Sequence, residues 1–426
     1  MNVKSLDIKN FRCFAKAYMG FHPQFNLIVG INGTGKTAIL EALRIMIGSL
    51  FLKVDKVADK IFSPSIVRDD VRLASLEMQY PVRLGAVADI PEFKDKSEPS
   101  LLEENEITWY RALETNGGKT TSKDAKMMVK ASEAMQASIR EVNSNITIPL
   151  VAYFSTDRFK KEKRDIGVEP DGSRLRGYYN SLDSLTNVKF FLDIWFTETL
   201  WELQSGKTSL MLNAVKQSIK NCLEDCQDAY FDIKLQELVM IQRNPSRQLP
   251  YHLLSDGVRS MFAMVMEIAF RCYLLNPHLG ENAPLLTPGV VLIDEIDLHL
   301  HPEWQMRVVN DLQNAFPKIQ FIASTHAPLV VGSLSKGKII CVDNNQVYDF
   351  SLQYGKDANY ILREMGALEM PVDIKDLISK YYALIQRGLG LSSEAKELRE
   401  KLNLQLGKDH PELQRADLMN SLFSNR

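Results

Sequence analysis

Eight consecutive residues have the composition of a phosphate-binding loop. Residues 30–37 read GINGTGKT and fit the pattern G-x-x-x-x-G-K-[ST]. Backbone amides of such a loop point at phosphates, and the partial positive charge at the start of the following helix favours an anion. Lys36 would reach the β and γ phosphates of ATP, and the Thr37 hydroxyl would bind Mg²⁺. The predicted nucleotide contacts in this segment are Gly30, Asn32, Gly33, Thr34, Gly35, Lys36, Thr37 and Ala38.

A second set of candidate residues follows two apolar segments. Residues 290–293 lead into Asp294, which can hold Mg²⁺, and Glu295, which can act as a general base toward an attacking water. Residues 320–325 lead into His326, which can hydrogen-bond a γ phosphate. The alternatives are an acidic strand end that caps the next turn and a structural histidine, and the order of the motifs favours the chemical roles. The predicted catalytic residues are Glu295 and His326, and the predicted metal ligands are Thr37 and Asp294.

The elements that must position these residues are two strands, a glycine loop and a helix. Apolar patterning predicts strands over Lys4 to Phe11 and over Phe25 to Val29, which runs into the phosphate loop. Helical spacing of apolar residues predicts a helix over Ala38 to Leu50, so the loop has the strand and helix that it requires. Further strands are predicted at 73–80, 107–113, 149–154 and 231–242, a polar, exposed helical insertion at about 117–146, and a helical lobe at about 180–230.

A fourth motif indicates the class of ATPase. Residues 254–260 read LSDGVRS and open an apolar helix that runs to about Leu275, so Ser255 and the amides around Gly257 lie at a helix N-terminus. The set of motifs resembles the ABC ATPase heads, in which this signature binds the γ phosphate held by a second protomer. The signature differs from LSGGQ by Asp256 and Val258, which points away from transporters and toward the soluble RecF-like, SMC-like and OLD-like branch.

Two further segments carry the resemblance to that branch. Residues 8–14, IKNFRCF, resemble its N-terminal strand, and the likeness places Arg12 near the phosphates. Residues 294–302, DEIDLHLHP, resemble the OLD-type version of the Walker B motif followed by the D-loop, which implies that Asp297 lies across a dimer interface. The expected fold is therefore α/β: an ABC-type P-loop NTPase head with a mixed sheet over residues 1–350, followed by a small helical docking extension over 351–426.

Composition excludes several classes of protein. The chain has 426 residues, of which 45% are hydrophobic and 24% charged, with a formal charge of −2. These values are typical of a folded globular protein and exclude a strongly basic nucleic-acid coat protein. No apolar window is long enough to span a membrane, and the scattered cysteines fit a reducing, cytoplasmic setting. A basic run over 158–164 could contact a nucleic-acid backbone, although a solvated loop explains it equally well.

Two segments narrow the functional expectation. Residues 149–158 and 354–362 resemble the ATPase subunits of Septu and retron antiphage systems. The resemblance implies an ATPase that forms a homodimer or a higher even-numbered homo-oligomer and controls a separate, PtuB-like HNH nuclease, together with a reverse transcriptase and its DNA where the system is a retron. About 70 residues follow the last ATPase strand, too few for the Toprim domain of OLD nucleases, so no nuclease centre is expected in the chain itself.

Two other functions stay open at the level of sequence. One is a RecF-like or SMC-like repair ATPase that clamps duplex DNA, and the other, less favoured, is an ABC transporter cassette. The C-terminal tail has amphipathic patterns over 374–385, 395–406 and 413–423, which predict three short helices. These helices could dock a partner or simply pack on their own head.

Overall fold

The structure is a computed structural model that describes residues 1–54, 61–90, 106–141, 145–159, 173–184, 188–365, 372–407 and 410–423. The chain divides into two compact units, Met1–Ile361 and Leu362–Arg426. The sequence places the boundary after residue 350, whereas residues 351–361 belong to the first unit. The reason is packing: the Gly355 amide donates to the Gly332 carbonyl at 3.0 Å, and Ile361 is buried.

The strands fall into two main sheets and two small ones. The largest is a mixed sheet of order β15-β14-β3-β13-β12-β8, and the second is an antiparallel sheet of order β2-β1-β6-β7. A three-stranded sheet has the order β11-β10-β9, and β4 pairs only with β5. The strands are β1 (Asn2–Phe11), β2 (Phe14–Gly20), β3 (Phe25–Val29), β4 (Leu73–Ala74), β5 (Glu77–Met78), β6 (Val82–Asp89), β7 (Glu106–Leu113), β8 (Leu150–Phe154), β9 (Cys226–Asp232), β10 (Glu237–Gln242), β11 (Arg247–Pro250), β12 (Gly289–Ile293), β13 (Ile319–Thr325), β14 (Lys338–Asp343) and β15 (Gln346–Phe350).

The mixed sheet brings the predicted chemical residues to one edge. Its strands β14, β3, β13, β12 and β8 are parallel, and β15 is antiparallel at one end. Every residue of β3, β8, β12 and β13 is buried, which is why these strands read as continuous apolar runs. Val29 pairs with Thr325, and Ile293 pairs with Ala323 and Phe154. The phosphate loop, the acidic pair and His326 therefore emerge side by side.

The antiparallel regions differ from the sequence-based expectation in three places. The single strand predicted over 73–80 is wrong: β4 and β5 form a two-residue hairpin whose turn holds Ser75 and Leu76 at positive φ. The strand predicted over 231–242 is instead the β9–β10 hairpin. Strands β2 and β6 were not predicted at all. Their cause is tertiary, because each pairs along β1 and gains its stability from that ladder.

The described residues form thirteen α-helices in addition to the strands. The segment expected as an exposed arm is instead packed on the first unit, because α2 buries Met128, Ala131 and Met135 on one face. The predicted helical lobe contains α3 and α4. The helices are α1 (Lys36–Ile47), α2 (Lys126–Arg140), α3 (Val188–Ser205), α4 (Leu210–Cys222), α5 (Asp256–Leu275), α6 (Ala283–Leu286), α7 (Pro302–Gln305), α8 (Val308–Ala315), α9 (Pro328–Ser333), α10 (Ala358–Glu364), α11 (Val372–Gln386), α12 (Ser393–Leu406) and α13 (Pro411–Phe423).

The second unit contains a bundle of α11, α12 and α13 with its own apolar core. The core includes Ile378, Ile385, Leu402 and Leu413, which come from all three helices. Arg399 of α12 donates to the Leu413 carbonyl at 2.9 Å and to other groups of α13. The Ser392 side chain caps the start of α12, and Gly407 at φ 83° ends it. The three helices that the amphipathic spacing predicts are therefore present in the structure.

A buried ion pair inside the first unit yields a stability prediction. Arg271 of α5 is fully buried, and its Nη2 and Nε donate to Glu267 Oε1 at 2.6 and 3.0 Å. We expect Glu267→Ala to lower the free energy of unfolding by about 3–5 kcal/mol, because the guanidinium would stay buried without its carboxylate. Chemical denaturation measures the change. Glu303→Ala, at a side chain that is 79% exposed, is the control and should change it little. Equal effects of the two substitutions would contradict the prediction.

Candidate functional site

The phosphate loop lies between β3 and α1, and its backbone requires glycine at two positions. Gly30 has φ 152°, and a Cβ there would lie 2.3 Å from the Val342 carbonyl oxygen. Gly35 has φ 108°, and a Cβ there would lie 2.5 Å from Cys13 Sγ and 2.8 Å from the Phe14 ring. Any side chain would therefore be strained and would collide with its neighbours. The loop is held against β14 on one side and the β1–β2 turn on the other.

Lys36 is the first residue of α1 and is buried inside the loop. Its Nζ donates to the carbonyl oxygens of Gly30 at 3.0 Å and Ile31 at 2.9 Å. Burial lowers the pKa of Lys36, and the carboxylates of Asp294 and Glu295 oppose that shift. The ammonium group is thus enclosed by the loop and faces the acidic edge of the sheet. An anion bound in the loop could accept from the same Nζ.

The predicted metal ligands lie together. Thr37 Oγ1 donates to Asp294 Oδ2 at 3.0 Å, and Asp294 is 2% exposed. Ser324 Oγ of β13 donates to Asp294 Oδ1 at 2.6 Å and accepts from the Glu295 amide at 2.8 Å. This hydroxyl and carboxylate donor set suits Mg²⁺, which prefers oxygen ligands. The role of Ser324 was not predicted from the sequence, because only the parallel pairing of β12 with β13 shows that it lies beside Asp294.

Glu295 and His326 follow adjacent strands. Glu295 is half-buried and has φ 49°, a conformation that non-glycine residues adopt rarely and that is often found at functional sites. Burial lowers the pKa of His326, nearby Lys36 lowers it further, and the carboxylates of Asp297 and Glu295 oppose the shift. His326 is therefore neutral near neutral pH. The nearby Gly30 backbone also opposes the lowering of the His326 pKa, so His326 lies close to the phosphate loop.

Asp297 and the signature residues Ser255 and Gly257 lie on two neighbouring segments. Asp297 accepts from Thr325 Oγ1 at 2.5 Å. Ser255 is exposed before α5, and a Cβ at Gly257 would lie 2.4 Å from the His299 carbonyl oxygen, so the start of α5 abuts the segment after Asp297. Among the described residues, no hydrogen bond or ion pair connects Ser255 or Gly257 with the phosphate loop. Within one protomer these two residues do not complete that loop.

Arg12 lies beside the phosphate loop but has another partner. Its Nε bonds Asp70 Oδ1 at 2.8 Å, and Asp70 is 3% exposed. The next residue, Cys13, contacts the Thr34 carbonyl oxygen at 3.9 Å. The resemblance of the N-terminal strand therefore places Arg12 near the phosphate loop, as expected. Its guanidinium, however, is paired with the Asp70 carboxylate. Phosphate contact by Arg12 stays a prediction.

The end of β8 supplies residues that the sequence analysis did not assign to the site. The Asp294 amide donates to the Phe154 carbonyl at 2.8 Å. Tyr153 Oη lies 3.3 Å from Glu41 Oε1, and Glu41 pairs with Arg44 at 2.9 Å. Burial raises the pKa of Tyr153, and the charges of Glu41 and Asp294 raise it further. A strand was predicted here, but its place beside β12 was not readable from the sequence.

The remaining expectations concern membranes, metals and the basic run. No described helix combines the length and hydropathy needed to cross a bilayer. In the described part of the chain, no three His, Cys, Asp or Glu side chains gather as a metal cage, and all five cysteines are free thiols. Residues 160–164 of the basic run and the side chain of Arg158 lie outside the described residues, so nucleic-acid contact there stays a hypothesis.

Comparison with known proteins agrees with the motifs. A family model described as "AAA domain" matches residues 5–227, and one described as "AAA domain, putative AbiEii toxin, Type IV TA system" matches residues 153–332. The Retron Vc95 probable ATPase of Vibrio cholerae serotype O1 biovar El Tor is 27% identical, over 94% of this chain and 86% of that protein. The Septu protein PtuA of Bacillus thuringiensis is 24% identical, over 88% of this chain and 84% of that protein. These relatives confirm the resemblance to Septu and retron ATPases.

A solved structure of the SmcHead bound to the C-winged helix domain of ScpA aligns with 83% of this chain and 98% of its own, at 17% identity and a TM-score of 0.46. The topology of the chain itself shows the α/β fold: a mixed, mainly parallel sheet with a phosphate loop between β3 and α1, and a second, antiparallel sheet. The first family model covers more than half of the 426 residues and contains the whole phosphate loop. This protein therefore belongs to the AAA-domain family of ATPases.

Proposed function

We propose that this protein binds and hydrolyses ATP as the regulatory subunit of an antiphage defence complex, and that it controls an associated HNH nuclease. The observation that carries the ATPase part is the hydrogen-bonded set of Thr37, Asp294 and Ser324 at the mouth of the phosphate loop, with Glu295 and His326 beside it. The defence role rests on the similarity to proteins named as retron and Septu ATPases.

The proposed reaction is attack of water on the γ phosphate, giving ADP and phosphate. The loop amides and Lys36 bind the β and γ phosphates and stabilise the charge that develops on their oxygens. Glu295 accepts the proton of the attacking water, and neutral His326 donates a hydrogen bond to the γ phosphate. Thr37 and Asp294 would hold Mg²⁺, which when bound neutralises phosphate charge.

The proposed active form is a dimer that encloses ATP between two protomers. Ser255 is exposed at the start of the 20-residue helix α5, whose amides favour an anion. Because neither Ser255 nor Gly257 contacts the phosphate loop of its own chain among the described residues, a γ phosphate held by a partner protomer is the ligand that suits them. Asp297 would lie at the same interface.

A mixed-subunit experiment tests this composite site. Ser255→Arg should block the signature surface, and Lys36→Ala should disable the loop, so each variant alone should be inactive. A mixture of the two should recover ATPase activity, because a heterodimer has one site built from an intact loop and an intact signature. Steady-state ATPase assays at fixed total protein measure the recovery. A mixture of Ser255→Arg with wild-type protein gives the reference level.

No recovery in that mixture, with heterodimers verified by differential tags, would exclude the composite site. The ATPase assignment itself would stand or fall separately on the activity of the wild-type protein. Activity in the absence of any dimer would also contradict the proposal.

The second unit is the proposed docking module for the nuclease. Its three-helix bundle has a closed core, yet Leu391 is 65% and Leu404 is 88% exposed. Exposed leucines on an otherwise folded bundle are suited to an apolar partner surface.

We expect deletion of residues 372–426 to spare ATP binding and to abolish capture of the nuclease. Leu391→Glu together with Leu404→Glu should reduce capture without unfolding the bundle, because neither side chain is in its core. Co-purification of the two subunits measures capture. Lys401→Glu, on the same helix, is the control for added negative charge. Full capture by the truncated protein would leave the tail with only a packing role.

A further inference from the structure

A cavity of about 780 Å³ lies in the first unit. It is formed between residues 62–68, which precede β4, and residues 116–120, which follow β7. The residues that line it include Arg68, Arg111 and Lys119, and none of the lining residues is Asp or Glu. The part of the wall formed by described residues therefore has three cations and no carboxylate. Its volume is within the usual range for small-molecule sites, about 300–1,000 Å³.

Arg111 is the unusual member of this set. It is 3% exposed, its Nε donates to the Thr121 carbonyl at 2.9 Å, and its Nη1 donates to Ser49 Oγ at 3.2 Å. Its Nη2 makes no hydrogen bond with any described residue, and no described carboxylate pairs with it. The equally buried Arg271 has Glu267 as its counter-ion. Because burying an unpaired charge is costly, the absence of a described carboxylate at Arg111 makes this guanidinium a suitable partner for a bound anion.

The wall around Arg111 is constructed from fixed groups. Thr120 Oγ1 accepts from the Ile66 amide at 2.9 Å and donates to the Ile66 carbonyl at 3.1 Å, which ties the two rims together. Ser63, also in the wall, has a buried Oγ with no hydrogen-bond partner. Both Ser63 Oγ and the Arg111 guanidinium are donors, and a phosphate oxygen accepts from both kinds of group.

The apolar part of the wall indicates the rest of the ligand. Phe62 and Tyr80 line the cavity together with Phe51, and rings of this kind pack well against a flat ring system. Burial lowers the pKa of Arg111 to about 10, and a bound anion would oppose that shift. Arg68 and Lys119 are exposed at the rim, where they can attract an anion before it enters.

We propose that this cavity binds a small phosphorylated ligand of nucleotide size, with its phosphate on Arg111, Arg68 and Lys119 and its ring against Phe62 and Tyr80. The site is separate from the phosphate loop and does not depend on ATP hydrolysis. A bound ligand would also fix the position of residues 62–68, which lead to Asp70, the partner of Arg12 beside the phosphate loop. Occupancy of the cavity is thereby linked to the edge of the nucleotide site.

The test uses full-length protein with Lys36→Ala, so that the phosphate loop does not contribute. Titration calorimetry with pyrophosphate and with adenosine 5′-monophosphate measures binding. We expect both to bind, the nucleotide more tightly, and Arg68→Gln with Lys119→Gln to weaken both by about tenfold or more. Lys123→Gln with Lys126→Gln removes the same charge from nearby exposed positions outside the wall and should leave binding unchanged.

A second variant examines the buried cation. Arg111→Met should abolish binding and should not lower the thermal midpoint of the ligand-free protein, because it removes an unpaired buried charge. If Arg111 served only as a structural donor to Thr121 and Ser49, the same substitution would lower that midpoint and leave binding intact. The proposal is overturned by that result, by an absence of binding of either probe, or by affinity that is unchanged in the Arg68 and Lys119 variant. Binding of a 5′-phosphorylated oligonucleotide alone would also overturn it, since that ligand needs an open surface.

Discussion

Replacing Glu295 with Gln is expected to reduce ATP turnover by about 10²–10⁴-fold while ATP still binds, because the amide cannot accept the proton of the attacking water. Gln has nearly the same shape as Glu, so the backbone conformation at φ 49° should persist. The hydrogen bond from the backbone amide of residue 295 to Ser324 Oγ should persist as well. ATP binding, measured with a fluorescent analogue, should stay close to that of wild type. In the proposed dimer, hydrolysis would no longer release the second protomer. The ATP-bound dimer should therefore persist longer in size-exclusion runs.

The control for Glu295→Gln is Glu303→Gln. Glu303 lies on α7, and its side chain is 79% exposed. This substitution removes a carboxylate from the same stretch of chain without touching the site, so turnover should not change. Near-normal hydrolysis by the Glu295→Gln protein would show that another group accepts the proton. His326, neutral beside the same loop, would then be the first residue to test.

Lys36→Ala should weaken ATP binding by about 100-fold or more. A hydrogen bond to a charged group contributes about 1.5–3 kcal/mol, and Lys36 is expected to bind two phosphates. The Nζ already lies within 3.0 Å of two loop carbonyls, so it needs little rearrangement to reach an anion in the loop. Thermal unfolding gives a direct measurement, because ATP should raise the midpoint of wild-type protein much more than that of the variant, in which the phosphate loop no longer contributes.

Lys126→Ala is a matched control for this change. Lys126 is, like Lys36, the first residue of an α-helix, but it is exposed and far along the chain from the loop. The substitution should leave the ATP-induced rise in midpoint intact. An equal rise in the Lys36→Ala protein would show that the main phosphate contacts are elsewhere. The cavity around Arg111 would be the first place to look for them.

Local sequence patterns were sufficient where neighbouring residues decide the structure. The phosphate loop was predictable because its glycines, Lys36 and Thr37 lie within eight residues, and only glycine fits at Gly30 and Gly35. Predominantly apolar runs predicted β3, β8, β12 and β13, since a strand buried on both faces has few polar positions. Helical spacing predicted α1, α5 and the three helices of the tail.

Such local patterns could not predict contacts between residues that are far apart in the chain. The order β14-β3-β13-β12-β8 places Ser324 next to Asp294 on one side and the end of β8 next to Asp294 on the other, yet nothing in the segment around Ser324 encodes that order. Strand order depends on how helices and loops bury the faces of the whole sheet, which is a property of the folded chain. For the same reason β2, which pairs with β1, and β6, which pairs with β1 and β7, were not predicted.

The sequence by itself therefore determined the chemistry available to this protein: a phosphate loop, an acidic strand end, a histidine and a helical signature. Each is a short motif whose backbone and side chains act within a few residues. Only the tertiary structure decided which of these groups meet, that Arg12 is bound to Asp70, and that Arg111 is buried with no carboxylate of the described residues beside it. The physical reason is that burial and pairing are set by contacts between distant segments, and a charge such as that of Arg111 becomes informative only when its surroundings are known.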